Sequence, residues 1–205
     1  METISASKTP PILYVVAGPP GVGKSTNGEV FVPYPVKVLN HDGIEAEYKK
    51  SNIPDYAKRA NEKMWSSIHE NIALGIDFGI ELNLGTEDQY GLLRRTHNYC
   101  THYQVHMLLF FTDIYSLCTN RAEVRARAGG HEVEPLIIQD MLFNTIGLLR
   151  KNIASIDHLT FIDVTYNSVE LVYSGYYPTR NHEFVSDVLP NWVTTNFPEI
   201  SFKKI

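Results

Sequence analysis

Short apolar runs alternate along this chain with longer stretches in which apolar residues return every three or four positions, the pattern of strands followed by amphipathic helices. Residues 12–17, Ile-Leu-Tyr-Val-Val-Ala, form a run that ends at glycine and predicts a strand buried on both faces. A glycine-rich turn follows, then a helix over 24–31 that Pro33 and Pro35 stop. Residues 36–40 predict a second strand. Ala57, Ala60, Met64, Ile68 and Ile72 line one side of a helix over 55–74, with Asp55 as its expected N-cap. A third strand is expected at 78–84, and Thr86-Glu87-Asp88-Gln89 has the capping-box form that opens a helix to Tyr99. A fourth strand follows at 104–111. Helices are expected at 114–128 and 135–153 around Gly129-Gly130, then strands at 159–164 and 169–174, and a short helix from Asn181. This alternation implies a single α/β domain over 1–205, with a mostly parallel central sheet and helices on both faces.

With 43% hydrophobic and 20% charged residues, 205 residues suffice for one sizeable core. The formal charge of −5, from 18 Lys and Arg against 23 Asp and Glu, argues against a nucleic-acid partner, since coating phosphates requires a basic surface. No apolar run approaches the ~18–20 residues of a membrane span. The opening residues METISASKTP lack a secretion-signal pattern, so the cytoplasm is the expected compartment. Cys100 and Cys118 are too few for a disulfide framework and read as reduced thiols.

The strongest chemical signal is Gly18-Pro19-Pro20-Gly21-Val22-Gly23-Lys24-Ser25, followed by Thr26. It satisfies G-x-x-x-x-G-K-[ST] and sits between a buried strand and a helix start, as a phosphate cradle requires, which points to a P-loop NTPase fold. Converging backbone N–H groups and a helix amino end would hold phosphates. Lys24 would reach the β- and γ-phosphates and the Ser25 hydroxyl would bind Mg²⁺. ATP is expected over GTP, because no Asn-Lys-x-Asp guanine reader is present.

Ligands of open α/β sheets lie beyond the carboxyl ends of the strands, so acidic residues there are candidates for chemistry. Asp42 could accept the proton of an incoming hydroxyl, or merely cap a helix or turn. Glu81 interrupts an apolar strand and calls for a cationic or Mg²⁺-linked partner; Asp113, the alternative for that role, could equally be an N-cap. Asn83 and His131 are candidates for substrate contact. Arg121 and Arg125, four residues apart, share a helix face and could neutralise charge on a transferred phosphoryl group, or form a solvated face with Glu123. Gly129-Gly130 suits a closing lid at 114–135. Tyr166, Tyr173, Tyr176, Tyr177 and Trp192 could stack on a base, although ordinary packing is the preferred reading.

Together these residues resemble the zeta-toxin family of P-loop kinases. The resemblance rests on the GPPGVGKST loop, Asn40-x-Asp42-x-Ile44, Phe78-x-x-Glu81-x-x-Leu84, and Arg121-x-x-x-Arg125-x-x-x-Gly129-Gly130-His131-x-Val133. It implies ATP-dependent phosphorylation of a small hydroxyl-bearing substrate, in the best-known members a UDP-activated amino sugar such as UDP-N-acetylglucosamine. It assigns Lys24 and Ser25 to the phosphates and Mg²⁺, Asp42 to hydroxyl deprotonation, Arg121 and Arg125 to the lid, and matches Glu81 to the third-strand acid. It further implies a small helical antitoxin as partner. Gln139-Asp140-Met141 stands where relatives carry an arginine pair, so either Arg127 substitutes for it or the activity is altered. Two other functions stay open: an ATP-binding regulatory module with little turnover, and a kinase acting on a nucleic-acid end.

Overall fold

The computed structural model describes residues 9–99, 102–166, 168–176 and 181–201, without the side chains of 96–99 and 201. Cys100 and Tyr177 lie outside the described residues. Seven strands form one sheet: β1 (Ile12–Ala17), β2 (Val38–Leu39), β3 (Phe78–Leu82), β4 (Gln104–Phe111), β5 (His158–Asp163), β6 (Glu170–Tyr176) and β7 (Asn181–Val185), in the order β2-β3-β1-β4-β5-β6-β7. The first five are mutually parallel, while β6 and β7 extend the sheet as an antiparallel hairpin. Central β1 alternates its side chains between two apolar layers. Leu13, Val15 and Ala17 enter one layer, and Tyr14 and Val16 the other.

Helices cover both layers. The first is covered by α3 (Tyr56–Leu74), α4 (Glu87–Tyr99), much of α6 (Pro135–Asn152), and the short α7 (Asn191–Asn196) and α8 (Pro198–Ser201). The second lies under α5 (Tyr115–Arg127), through Cys118 and Ala122, and under Ile138 at the start of α6. The expected α/β architecture with a mostly parallel sheet is therefore present. Among the described residues, no helix is long and apolar enough to cross a membrane.

Several local expectations are corrected. The helix after the glycine-rich loop, α1, spans only Lys24–Asn27 and tightens into a 3₁₀ turn over Gly28–Phe31, where a Cβ on Gly28 would lie 2.7 Å from Val16 Cγ1. Residues 36–40 contribute only two strand residues, and a ten-residue helix, α2 (His41–Lys50), follows them. It buries none of its side chains, so it has no apolar stripe to announce it. Asp55 precedes α3 in the left-handed region (φ 54°) with no side-chain cap, and α5 is preceded by Ile114 rather than capped by Asp113. The Gln89 side chain accepts from the Gly85 N–H at 3.1 Å instead of closing a capping box on Thr86. The helix expected from Asn181 is strand β7, which pairs antiparallel with β6 at the sheet edge; helix resumes at Asn191.

The aromatic residues near the end of the chain divide as packing predicts. Trp192 and Tyr173 are buried, and the Trp192 indole N–H donates to the Asp163 carboxylate at 2.8 Å. Tyr166 is exposed. Tyr176 stacks edge-on against His158 at the amino end of β5, the end of the sheet away from the glycine-rich loop.

Candidate functional site

Parallel pairing brings the carboxyl ends of β1, β3 and β4 to one edge, with Ala17 level with both Leu82 and Leu109. The loop 18–25 leaves β1 at that edge. Gly21 has φ +85°, and a Cβ there would lie 2.2 Å from the Cys118 carbonyl oxygen, so the loop is pressed against the amino half of α5 in a way that a side chain would obstruct. Gly21→Ala is expected to cost about 1–3 kcal/mol through backbone strain and overpacking, lowering Tm by roughly 2–12 °C. An unchanged melting curve would show that the loop is not held by this approach.

Lys24 is 5% exposed, and its Nζ donates to the carbonyls of Gly18 (2.7 Å) and Pro19 (3.0 Å) and to Asn83 Oδ1 (2.9 Å). Burial pushes its ammonium down to about 8; the nearby Arg125 charge works in the same direction, while Glu81 and Asp42 oppose it. The ammonium is therefore charged at neutral pH and gives up its proton as pH rises past about 8. Cys118 beneath it is likewise buried, with its thiol pushed up to about 11, which leaves it neutral and packing-bound.

Glu81 pairs in register with Val16, one residue short of the end of β1, so its carboxylate emerges at the base of the loop. There Ser25 Oγ donates to Glu81 Oε1 at 2.9 Å. Asn40 Nδ2 donates to Glu81 Oε2 at 2.8 Å and lies 3.4 Å from Ser25 Oγ, while Asn40 Oδ1 caps α2 by accepting from the Gly43 N–H at 3.1 Å. Asn40 thus fixes both Glu81 and the start of α2. Its role was not read from the sequence, although an Asn directly after a strand and before an acidic first turn is an N-cap signal. Asp113 does not line either cavity described below.

Two cavities meet at this edge. One, of about 400 Å³, lies over the loop and the start of α1 and is walled by Ser25, Thr26, Glu81, Arg121 and Arg125, with Val169 closing the far side. The other, of about 310 Å³, contains Asp42, Asn83, His131 and Glu134. Lys24, Glu81 and Arg125 line both and form the partition. Asp42 sits in the first turn of α2, with Oδ1 3.8 Å from His41 Nδ1. Asn40, not Asp42, caps that helix.

The two arginines face the site because α5 ends where it does. Gly129 (φ +88°) donates its N–H to the Ala126 carbonyl, and Gly130 donates to the Arg125 carbonyl, the paired bonds of a Schellman stop. A Cβ on Gly130 would press on Arg125 Cγ at 2.8 Å. Arg125 Nη2 donates to the His131 carbonyl at 3.1 Å, while its buried Nε–H has no partner among the described residues. The glycine pair is thus an ordered turn that seats Arg125 against the 131–134 segment. Arg127, the expected substitute for the missing arginines, points away: it is 76% exposed and pairs with Glu123 at 2.5 Å.

Neither a family model nor a curated protein matches this chain. Solved structures share its fold. The chain is similar, at 15% identity and TM-score 0.59 over 96% of its length and 86% of the other chain, to a structure from the PezAT chromosomal toxin–antitoxin system of Streptococcus pneumoniae. It is similar at 16% identity and TM-score 0.56 over 73% of its length to the Pnkp1/Rnl/Hen1 RNA repair complex, spanning 49% of that chain. At 9% identity and TM-score 0.57 over 83% of its length it is similar to AvrRxo1-ORF1:-ORF2 with ATP, spanning 59% of that chain. The resemblance read from the sequence is upheld at the level of the P-loop fold.

Proposed function

We propose that this chain is an ATP-dependent phosphotransferase that phosphorylates a hydroxyl of a small molecule. The observation that carries the reading is the pair of cavities divided by Lys24, Glu81 and Arg125, one resting on the P-loop and the other holding Asp42. A donor and an acceptor can occupy them side by side with the reacting group at the partition.

In this mechanism Lys24 exchanges its carbonyl partners for phosphate oxygens, and the backbone N–H groups at the start of α1 orient them. Arg121 and Arg125 neutralise charge that grows on the transferred phosphoryl oxygens. Asp42 accepts the proton of the attacking hydroxyl. Ser25 and Glu81 supply the hard oxygen donors suited to Mg²⁺, which keeps several waters and is bound through one or two protein oxygens together with substrate phosphates. Mg²⁺ would there shield phosphate charge. In this reading the arginine-bearing region 114–135 is the lid, the chain is one kinase domain in the cytoplasm, and a small antitoxin is the partner that the resemblance implies. The same resemblance puts a UDP-activated amino sugar first among acceptors to assay. A nucleic-acid end is disfavoured by the carboxylates around Asp42.

The direct test is acceptor-dependent release of ADP with a mass increment of one phosphate on the acceptor, abolished by EDTA. Binding of ATP with no transfer to any acceptor would instead favour a regulatory nucleotide-binding module. The lowered Lys24 proton affinity adds a pH signature. Between about 8 and the ordinary lysine value of 10.5 the unfolded chain holds a proton that the folded chain has released, so this group makes stability rise with pH across that window. Phosphate binding needs the ammonium and runs the other way: ATP affinity should fall by up to about tenfold per pH unit above about 8. Calorimetric titration from pH 7 to 9.5 measures the slope, and a flat profile would remove Lys24 from phosphate binding.

A further inference from the structure

Resting on the phosphotransferase reading, we propose that Asn40 is a positioning residue that ties the amino end of α2, and with it Asp42, to the pair Ser25 and Glu81, so that filling the nucleotide cavity sets the base of the acceptor cavity. Asn40 itself lines neither cavity. It stands where the two sides meet in the chain: β2 pairs with β3 through Leu39 and Ile80, and the next step of that register brings Asn40 level with Glu81. Both ends of its side-chain amide are engaged. The Nδ2 group donates to Glu81 Oε2 at 2.8 Å, leaving Oε1 to accept from the Ser25 hydroxyl at 2.9 Å, while Oδ1 accepts from the Gly43 N–H at 3.1 Å.

Little else holds the turn that carries Asp42. None of the α2 side chains is buried, His41 Nδ1 lies 3.8 Å from both Asp42 Oδ1 and Glu45 Oε2, beyond hydrogen-bond distance, and Ile44 is the first residue of the helix to rest against an apolar layer. The place of Asp42 therefore follows the Asn40 amide, and the amide follows Glu81. The residue type fits this double demand. Aspartate would cap α2 as well as asparagine does but would set a second carboxylate against Glu81 Oε2, and serine would cap without reaching Glu81. A short stem bearing an acceptor and a donor serves both ends at once. When Mg–nucleotide engages Ser25 and Glu81, the carboxylate that Asn40 holds is fixed, and the cap of α2 is fixed with it. Such coupling bears on rate because a misplacement of about 1 Å between a base and the reacting group can cost on the order of 10²-fold.

The test compares wild type with Asn40→Ser, which keeps a cap oxygen and loses the donor, and with Asn40→Ala, which loses both. Amide hydrogen exchange read by NMR with Mg–ADP needs no acceptor. In the wild type, Mg–ADP should slow exchange at Gly43 and Ile44 by about five- to tenfold. In Asn40→Ser the same addition should change it by less than about twofold, although Mg–ADP still binds within about threefold of wild type and Tm is held by the cap. Asn40→Ala should in addition lower Tm by roughly 2–4 °C. With UDP-N-acetylglucosamine as acceptor, Asn40→Ser should lower kcat about 10- to 100-fold with the ATP KM within about threefold, and by less than about threefold further on an Asp42→Asn background, because it acts through Asp42. The exchange measurement decides alone where that acceptor is inert. Protection at Gly43 and Ile44 that persists in Asn40→Ser, no protection in a wild type that binds Mg–ADP, loss of Mg–ADP binding in Asn40→Ser, or a full further loss of kcat on the Asp42→Asn background would each overturn the positioning role. Absence of Mg–ADP binding in the wild type would overturn the phosphotransferase reading instead.

Discussion

Lys24→Met is expected to abolish measurable phosphotransfer and to weaken ATP binding at least a hundredfold. The ammonium is the buried cation at the base of the P-loop, and a preorganised charged donor of this kind contributes on the scale of ~2.7–4 kcal/mol to charge stabilisation, a factor of about 10² to 10³. Methionine keeps most of the stem volume, so the effect is not that of a cavity. It also removes an ammonium whose proton affinity is already depressed to about 8 by burial, offsetting the loss of its bonds to the Gly18 and Pro19 carbonyls and to Asn83. The variant should therefore fold with a Tm within a few degrees of wild type, which calorimetric scanning checks alongside ATP titration. Affinity within threefold of wild type in a folded Lys24→Met protein would mean that phosphates are not held through this side chain.

What could be read from the sequence divides along a physical line. The parallel core was legible because β1 and most of β4 are buried on both faces and so carry near-continuous apolar runs. The P-loop was legible because its chemistry needs fixed residue types at fixed spacing. Helix α2 was not, since it is held by an Asn40 cap, two terminal lysines and the neighbouring α3 rather than by a buried stripe. Strand β7 was not, because as an exposed edge its Asn-His-Glu-Phe-Val carries no clear alternation, and its pairing with β6 comes from tertiary context.

The site shows the same division. That Glu81 needs a polar partner was visible as a carboxylate in an apolar strand, but in place of the expected cationic or Mg²⁺-linked group the structure gives it the neutral Ser25 hydroxyl and Asn40 amide. The part played by Asn40 depends on the register of β1 and β3 and on the distance across to β2, which spacing does not encode. Gly129-Gly130 shows how one signal admits two mechanisms. A glycine pair suggests flexibility, yet here its positive φ closes a helix and its missing Cβ lets Arg125 lie flat against the turn. Arg125 and the 131–134 segment therefore share one mechanical anchor, and a change at position 130 would disturb both.

Asp42→Asn is expected to lower kcat by about 10²- to 10⁴-fold while leaving the ATP dissociation constant within about twofold. The split follows from placement. Asp42 lines only the second cavity, and it is Asn40 that caps α2 and braces Glu81, so the amide neither unravels the helix nor disturbs the Ser25–Glu81 pair. Asparagine preserves shape and one acceptor oxygen but has no useful basicity, so the attacking hydroxyl keeps its proton and the transition state loses its general base. The same substitution removes a negative charge that favours the Lys24 ammonium, a secondary effect that makes ATP binding marginally more sensitive to rising pH. Single-turnover phosphate transfer and ATP titration on one preparation separate these contributions. If kcat stays near wild type in Asp42→Asn, the proton must leave by another group; if ATP affinity collapses with kcat, Asp42 acts on the nucleotide side of the partition rather than on the acceptor.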